Sequence, residues 1–293
     1  MILIGESIHV ISKEINEAIQ TRNAAPIKKL ARLQEEAGAD YLDLNLGSLS
    51  KNPVDTIQWL INSVQEVVTI PLSIDTTNPV AMEAALKICK KPPLINSANG
   101  SQASKETIFP IAQKYPSELV ILTYSDAGMP NDAEERASFV VDILEYANNI
   151  GIPNERIWID AVLMPICVNQ QQILEYIEFI KMFADVAPGA RSITGLSNVS
   201  SCGTPPQLRA IINRTLFVIL NRYGHNALIA DVLDQDLIRL NRGELPELVK
   251  LIQKAEDGEQ INYEALSDLE RAYVKTVDIL TGRKMYSHSW LEE

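Results

Sequence analysis

Four short apolar runs of this chain each end in a carboxylate or carboxamide residue. Residues 72–74 are followed by Asp75, residues 94–95 by Asn96, residues 157–159 by Asp160, and residues 192–196 by Ser197-Asn198. Carboxylate and amide groups that converge on one cavity suit a planar ligand with N–H donors and ring acceptors, because each polar edge atom needs its own partner. The alternative is that each side chain bonds to nearby backbone or caps a helix. For four such residues together, that alternative is less favourable than for any one of them.

Three further runs of the chain carry the same kind of polar residue. Residues 2–4 lead into Gly5-Glu6, residues 41–44 contain Asp43 and lead into Asn45, and residues 227–230 lead into Asp231. A β-branched and leucyl run closed by a polar residue is typical of a buried parallel strand. In a closed barrel of alternating strands and helices, all the carboxyl ends of the strands share one rim. Glu6, Asp43, Asn45, Asp231 and the neighbouring Ser197 are therefore additional candidates for a site at that rim.

Helix signals lie between these strands. Asn52 precedes Pro53 as a helix cap, and a helix over residues 133–149 is predicted to end near Gly151. Eight alternations of strand and helix fit a closed (β/α)₈ TIM barrel, an α/β fold, better than an open doubly wound sheet. We predict this barrel domain over residues 1–242.

The character of the chain changes at about residue 243. Two amphipathic helices are predicted over residues 246–255 and 266–280, outside the barrel count. The tail that follows carries Tyr286, His288 and Trp290, which favours packing on the body of the protein. We therefore predict an extension of C-terminal helices and a docked tail over residues 243–293.

Composition excludes several classes of protein. The chain has 293 residues, is 46% hydrophobic and has a formal charge of −12. It lacks the Lys/Arg cluster that a nucleic-acid backbone binder needs, and no apolar stretch is long enough to span a bilayer. The N-terminal residues do not resemble a signal peptide. Three widely separated cysteines indicate a reducing compartment, so we expect a cytoplasmic protein.

Several familiar chemistries lack their residues here. No lysine ends a strand, which argues against a Schiff-base enzyme, and the three histidines have no metal-ligand spacing, so no bound metal is expected. Cys202 lies on the loop after the seventh strand, but nothing nearby activates it, and a structural role is favoured. Arg209 could bind an acidic part of a ligand or cover the helix surface. Arg214 is interpreted as structural.

The motifs together resemble a known family, the methyltetrahydrofolate:corrinoid protein methyltransferases of the pterin-binding barrel superfamily. That superfamily also includes dihydropteroate synthase and the folate domain of methionine synthase. The resemblance covers roughly residues 2–240, with order and strand position matching. The motifs that carry it are Ile4-Gly5-Glu6, Leu42-Asp43-Leu44-Asn45, Ile74-Asp75-Thr76-Thr77-Asn78, Ile95-Asn96-Ser97, Trp158-Ile159-Asp160, Gly195-Leu196-Ser197-Asn198-Val199-Ser200 and Ile212-Asn213-Arg214-Thr215.

The resemblance implies roles for particular residues. Asp75, Asn96 and Asp160 match positions that hydrogen-bond the pterin ring, and Asn198 matches a catalytic amide near N5, the atom that carries the methyl group. The implied substrate is tetrahydrofolate or 5-methyltetrahydrofolate. The implied partner is a separate corrinoid protein that carries the cobalamin, and the enzyme itself is implied to be a homodimer without a metal of its own.

The sequence also departs from the family pattern. The first strand of the family reads Gly-Glu-Arg-x-Asn, whereas this chain has Gly5-Glu6-Ser7-Ile8-His9. The departure favours a different corrinoid partner, such as that of an O-demethylase or methylamine system running toward tetrahydrofolate. Two alternatives remain open at this point. A dihydropteroate synthase would need a Lys and Arg pair near the seventh strand, and residues 195–201 contain neither. A non-catalytic pterin-binding subunit is favoured only by the altered first loop.

Overall fold

Eight parallel strands form a closed barrel in the order of the sequence. The computed structural model of the protein describes residues 1–47 and 52–292. The strands are β1 (Ile2–His9), β2 (Tyr41–Asn45), β3 (Leu72–Asp75), β4 (Leu94–Asn99), β5 (Glu118–Leu122), β6 (Ile157–Asp160), β7 (Arg191–Gly195) and β8 (Ala227–Ala230). The predicted (β/α)₈ barrel is therefore confirmed.

Helices surround the barrel and continue beyond it. They are α1 (Lys13–Thr21), α2 (Ala24–Ala37), α3 (Pro53–Gln65), α4 (Pro79–Leu86), α5 (Gln102–Lys114), α6 (Ala133–Asn149), α7 (Gln171–Val186), α8 (Pro206–Arg222), α9 (Gln235–Asn241), α10 (Pro246–Glu256) and α11 (Asp268–Leu280). The limits of α6 agree with the prediction from sequence. Asn52 caps α3 through its side chain, and Pro53 occupies the first turn, also as predicted.

The barrel interior is filled by apolar side chains from six strands. These side chains are Ile4, Leu94, Val120, Trp158, Ile193 and Ala227. A larger apolar layer between the strands and the surrounding helices forms the main core. Because the interior is packed, space for a ligand lies at the carboxyl ends of the strands, where the polar residues cluster.

The first strand is longer than predicted. The polar pair Gly5-Glu6 suggested that it ends after Ile4, but β1 continues to His9, which pairs with Asn45. The strand does so through an irregularity between Gly5 and Ile8. Gln34 explains the irregularity, because Gln34 Oε1 accepts a 3.0 Å hydrogen bond from the Ser7 N–H. A Cβ at Gly5 would lie 2.5 Å from the same oxygen, so glycine allows this close approach.

The C-terminal helices pack on the outside of the barrel against α8. The tail after them contacts α11, since Trp290 is 1% exposed and its Nε1 donates to Thr276 Oγ1 at 3.2 Å. The structural interpretation of Arg214 is also confirmed, because its guanidinium binds both carboxylate oxygens of Asp234. The division of the chain at residues 242/243 stays a prediction. None of the helices in the described ranges is both long and apolar enough to cross a membrane.

Candidate active site

A cavity of about 340 Å³ opens at the carboxyl ends of the barrel strands. Seven of the residues predicted from sequence line it together. They are Glu6, Asp43, Asn45, Asp75, Asn96, Asp160 and Asn198. His9, Ile11, Gly195 and Ile229 complete the lining.

Strand β2 orients the polar residues of β3 and β4. Asp43 Oδ1 accepts hydrogen bonds from Ser73 Oγ at 2.6 Å and from Asn96 Nδ2 at 3.2 Å. Asn45 Nδ2 donates to Asp75 Oδ2, and Asn45 Oδ1 accepts from the Gly47 N–H at 2.8 Å. These bonds use both ends of the Asn45 amide. The side chains of Asp75 and Asn96 are thus held in fixed orientations before a ligand arrives.

Asp160 is held through one of its two carboxylate oxygens. Its Oδ1 accepts from the Val162 N–H at 2.8 Å and from Thr194 Oγ1 at 3.3 Å. Val162 has a φ of 57°, which is costly for a β-branched residue and directs its N–H toward the carboxylate. Oδ2 of Asp160 makes no hydrogen bond within the described part of the chain. One oxygen therefore fixes the carboxylate, and the other remains free to accept from a ligand.

Asn198 lies on the 3-10 turn Leu196–Ser200, directly after β7. Its backbone oxygen accepts from the Ser201 N–H at 3.1 Å and from Ser201 Oγ at 2.8 Å. Its side-chain amide has no partner among residues 1–47 and 52–292. A Cβ at Gly195 would lie 3.0 Å from Asn198 Nδ2, so the amide lies against the glycine. The turn therefore fixes the backbone of Asn198 and leaves its side-chain amide available in the cavity.

The remaining predicted site residues have different positions. Ser197 donates to Glu6 Oε1 at 2.6 Å and orients that carboxylate. Arg209 does not line the cavity, and its Nε donates to Thr204 O at 3.0 Å. Asp231 also lies outside the lining, where its Oδ1 accepts from the Leu233 N–H at 3.0 Å. The structure thus brings Ser197 to the edge of the site, whereas Arg209 and Asp231 lie outside the lining of the cavity.

Burial sets the protonation of the site. Burial raises the pKa of Glu6 to about 7, with the charges of Asp231 and Asp43 adding to the effect and the bond from Ser197 opposing it. Burial also raises the pKa of Asp160 to about 7. The pKa of Asp75 is raised by burial and by the nearby charge of Asp43, and burial likewise raises that of Asp43. Partly protonated carboxyl groups can donate as well as accept near neutral pH.

The sequence analysis missed four lining residues as site residues, and two of them, His9 and Ile11, lie at or just after the end of β1. His9 was noted only as a departure in the first strand, yet it lines the cavity, and burial lowers its pKa. Its Nδ1 is buried and unpartnered within the described ranges. Ile11 lies at the mouth of the cavity and is 86% exposed. Extending β1 beyond Gly5-Glu6 would have placed both residues at the rim.

Replacing Glu6 with glutamine should stabilise the free protein at pH 8 by about 1–2 kcal/mol and have little effect at pH 4. The folded protein holds a proton on Glu6 up to a pKa of about 7, whereas the unfolded chain releases it near 4.5. Glu6 therefore contributes stability at low pH that is lost as the pH rises through 7. Glutamine keeps the acceptor for Ser197 without the buried charge.

Urea unfolding at pH 4 and pH 8 measures this effect. The control is Glu145→Gln, which changes an exposed carboxylate on α6 and should leave the difference between the two pH values unchanged. Equal stability of the Glu6→Gln variant and the unaltered protein at pH 8 would show that Glu6 ionises there without cost.

A closed barrel with a carboxylate and amide cavity at its rim defines the class of protein. The chain belongs to the pterin binding enzyme family, whose model matches residues 12–230. This match confirms the predicted superfamily.

Proteins similar to this chain include a methyltransferase and two kinds of synthase. The chain is 29% identical over 240 residues to the methylcorrinoid:tetrahydrofolate methyltransferase of Eubacterium limosum, covering 81% of this chain and 88% of that one. It is 22% identical over 286 residues to methionine synthase of Mycobacterium tuberculosis, covering 93% of this chain but only 24% of that much longer protein. Among solved structures, dihydropteroate synthase from Vibrio fischeri matches with a TM-score of 0.64 at 16% identity, covering 84% of this chain and 93% of that one. At that identity the structural match shows the fold alone.

Proposed function

We propose that this protein transfers a methyl group between N5 of tetrahydrofolate and the cobalt of a corrinoid carried by a separate protein. One observation carries the proposal: a single cavity combines the fixed carboxylate and amide set of Asp75, Asn96 and Asp160 with the Asn198 side-chain amide, which has no partner among the residues that the structure describes. The first set suits the edge of a pterin ring, which presents several N–H donors and ring nitrogens. The Eubacterium limosum relative, by its name, acts on the same two substrates.

The proposed chemistry is one displacement at the methyl carbon. In the direction that the relative's name describes, the N5 lone pair forms a bond to the methyl carbon. The bond from carbon to cobalt breaks, its electron pair stays on cobalt, and the proton of N5 is released. In this direction N5 gains positive charge as it bonds the methyl carbon. In the reverse direction N5 must first gain a proton, because the electron pair of the bond from carbon to nitrogen returns to N5 as the methyl group leaves. The Asn198 amide oxygen stabilises that charge, and the cavity aligns the reacting atoms.

The charge of the cavity argues against a dihydropteroate synthase. That reaction handles a diphosphate, which needs cationic partners. Four acidic residues line the cavity, namely Glu6, Asp43, Asp75 and Asp160, and no lysine or arginine is among its described lining residues. Arg209, the cation that follows β7, is engaged through its Nε with the backbone of its own loop. The cavity therefore disfavours an anionic diphosphate and suits an uncharged ring edge.

One set of assays separates the candidate functions. The protein is incubated without oxygen with methyltetrahydrofolate and free cob(I)alamin, and the Co(I) absorption band is followed. We expect slow formation of methylcobalamin, slow because the partner protein is absent. A non-catalytic pterin-binding subunit would bind the folate without transfer. A dihydropteroate synthase would instead condense a dihydropterin diphosphate with p-aminobenzoate, and we expect no such product.

We also propose that the protein acts as a homodimer, on the strength of the family resemblance. Sedimentation equilibrium at micromolar concentration should then give about twice the chain mass of 32.5 kDa. A single species with the mass of one chain would contradict the dimer without affecting the proposed chemistry.

A further inference from the structure

The C-terminal tail after α11 returns to the rim of the barrel. Gln170, on the loop between β6 and α7, holds it with three hydrogen bonds. Gln170 Nε2 donates to Ile279 O at 2.6 Å and to Lys284 O at 2.7 Å, and Gln170 Oε1 accepts from the Tyr286 N–H at 2.9 Å. One side chain thus fastens the end of α11 and the tail to a rim loop of the barrel.

Tyr286 connects this tail to the loop that follows β7. Its hydroxyl lies 3.1 Å from Thr204 Oγ1, within hydrogen-bond distance, and Thr204 is 1% exposed. The Tyr286 ring centroid is 5.6 Å from that of Trp290, which is itself buried. The position of the Tyr286 hydroxyl is therefore set by packing of its ring against Trp290.

The loop that Tyr286 contacts leads directly from Asn198. Residues 201–205 connect the 3-10 turn to α8, and Ser201 bonds back to the Asn198 backbone oxygen. In the middle of the loop, Cys202 has a φ of 54°, in the left-handed region that is uncommon for a residue other than glycine, and Gly203 follows with a φ of 102°. The backbone angle at Cys202 is one that surrounding contacts must hold. Cys167 supplies one contact by donating to Cys202 O at 2.6 Å, Arg209 of α8 supplies another at Thr204 O, and Tyr286 supplies a third at Thr204 Oγ1.

We propose that the C-terminal tail is a working part of the site, in which Tyr286 is a positioning residue that acts through Thr204. It holds residues 201–205, and with them the Asn198 amide, in the geometry that methyl transfer needs. This inference rests on the function proposed above for Asn198. A partly buried hydrogen bond of this kind contributes about 1 kcal/mol, so its loss lowers the equilibrium constant between the aligned and the misaligned loop about 5–10-fold.

Removing the contact from either side should slow the same step. Tyr286→Phe and Thr204→Val should each lower the single-turnover rate about 5–10-fold. The affinity for methyltetrahydrofolate should stay within about twofold, because neither residue lines the cavity. The double variant should be no slower than the single variants, since both changes remove one interaction. Tyr263→Phe is the matched control, because it removes a hydroxyl from the same C-terminal region that takes no part in these contacts.

Cys202 reports on the loop without any need for activity. It is exposed, whereas Cys89 is partly buried with its pKa raised to about 12, and the Cys167 sulfur is hydrogen-bonded. Alkylation of Cys202 by iodoacetamide, followed by mass spectrometry, should be several-fold faster in Tyr286→Phe than in Tyr263→Phe. Melting temperatures recorded beside it confirm that both variants remain folded.

The outcomes are distinct. Unchanged transfer and unchanged Cys202 alkylation in Tyr286→Phe would overturn the inference, as would rate losses that add in the double variant. A weaker affinity for methyltetrahydrofolate at an unchanged rate would overturn it too, because the tail would then act on binding. If the unaltered protein transfers no methyl group, the proposed function fails, and the alkylation comparison alone decides whether the tail holds the loop.

Discussion

Replacing Asn198 with alanine should lower the rate of methyl transfer by about 10²–10³-fold, the usual cost of losing one preorganised bond to a developing charge. The affinity for methyltetrahydrofolate should change far less. The reason lies in when the bond matters. N5 is an uncharged amine in the free folate and carries positive charge only near the transition state, either because it is bonding the methyl carbon or because it has gained the proton that lets the methyl group leave. The Asn198 amide therefore stabilises the transition state more than the bound substrate.

Two measurements separate these effects. Single-turnover transfer to cob(I)alamin at saturating folate gives the rate of the chemical step, and calorimetry gives the affinity. Asn149→Ala, at the exposed end of α6, is the matched control and should change neither value. If binding by Asn198→Ala collapses while the rate at saturation holds, then Asn198 is a binding residue and the mechanism proposed here is wrong.

Replacing Asp160 with alanine should have the opposite signature. We expect folate binding to weaken by about 1.5–3 kcal/mol, or about 10–150-fold, the usual range for hydrogen bonds to a charged group. The free Oδ2 of Asp160 is the acceptor offered to the ligand, while Oδ1 is held by Val162 and Thr194. Removing the carboxylate leaves a ring N–H of the pterin unpartnered in a buried site.

The pH dependence of binding provides a second readout for Asp160. Its pKa in the free protein is about 7, so lowering the pH from 8 to 6 protonates most of the carboxylate. That proton must leave before Oδ2 accepts from the ligand, so the affinity should fall about tenfold over this range. The Asp160→Ala variant should show a smaller fall. Unchanged affinity with an intact fold, measured by calorimetry and circular dichroism, would contradict the assignment.

The fold could be predicted from sequence because a polar residue follows the apolar run of most strands. In parallel strands buried on both faces, a carboxylate or carboxamide residue that closes the apolar run marks the point where the chain reaches the rim, as at Asp75 and Asp160. The same rule failed at Gly5-Glu6. There the strand continues because Gln34, a residue of α2, accepts a bond from Ser7 inside the irregular part of β1. Such a partner, distant in the chain, leaves no signal in the strand itself.

The candidate site could be predicted as a set of residues but not as a network. Strand ends placed Asp43 and Asn45 at the rim, yet only the structure shows that they hold Asn96 and Asp75. For Arg209, the sequence left binding of an acidic ligand group and cover of the helix surface both open. The structure shows its Nε bonded to the backbone of the loop before α8. The docking of the tail was expected from its aromatic residues. Its contact with Thr204 was not, because nothing in the sequence relates two segments 82 positions apart.

The central claim, methyl transfer between folate and a corrinoid, is tested most directly by following the methyl carbon itself. Methylcobalamin labelled with ¹³C in its methyl group is incubated with tetrahydrofolate and the protein in the absence of oxygen and light, and the label is followed by NMR. We expect the ¹³C signal to move from cobalt to N5 of the folate, with about 10²–10³-fold slower movement in the Asn198→Ala variant. If the label stays on cobalt while calorimetry shows that the protein binds tetrahydrofolate, the protein is not the methyltransferase proposed here.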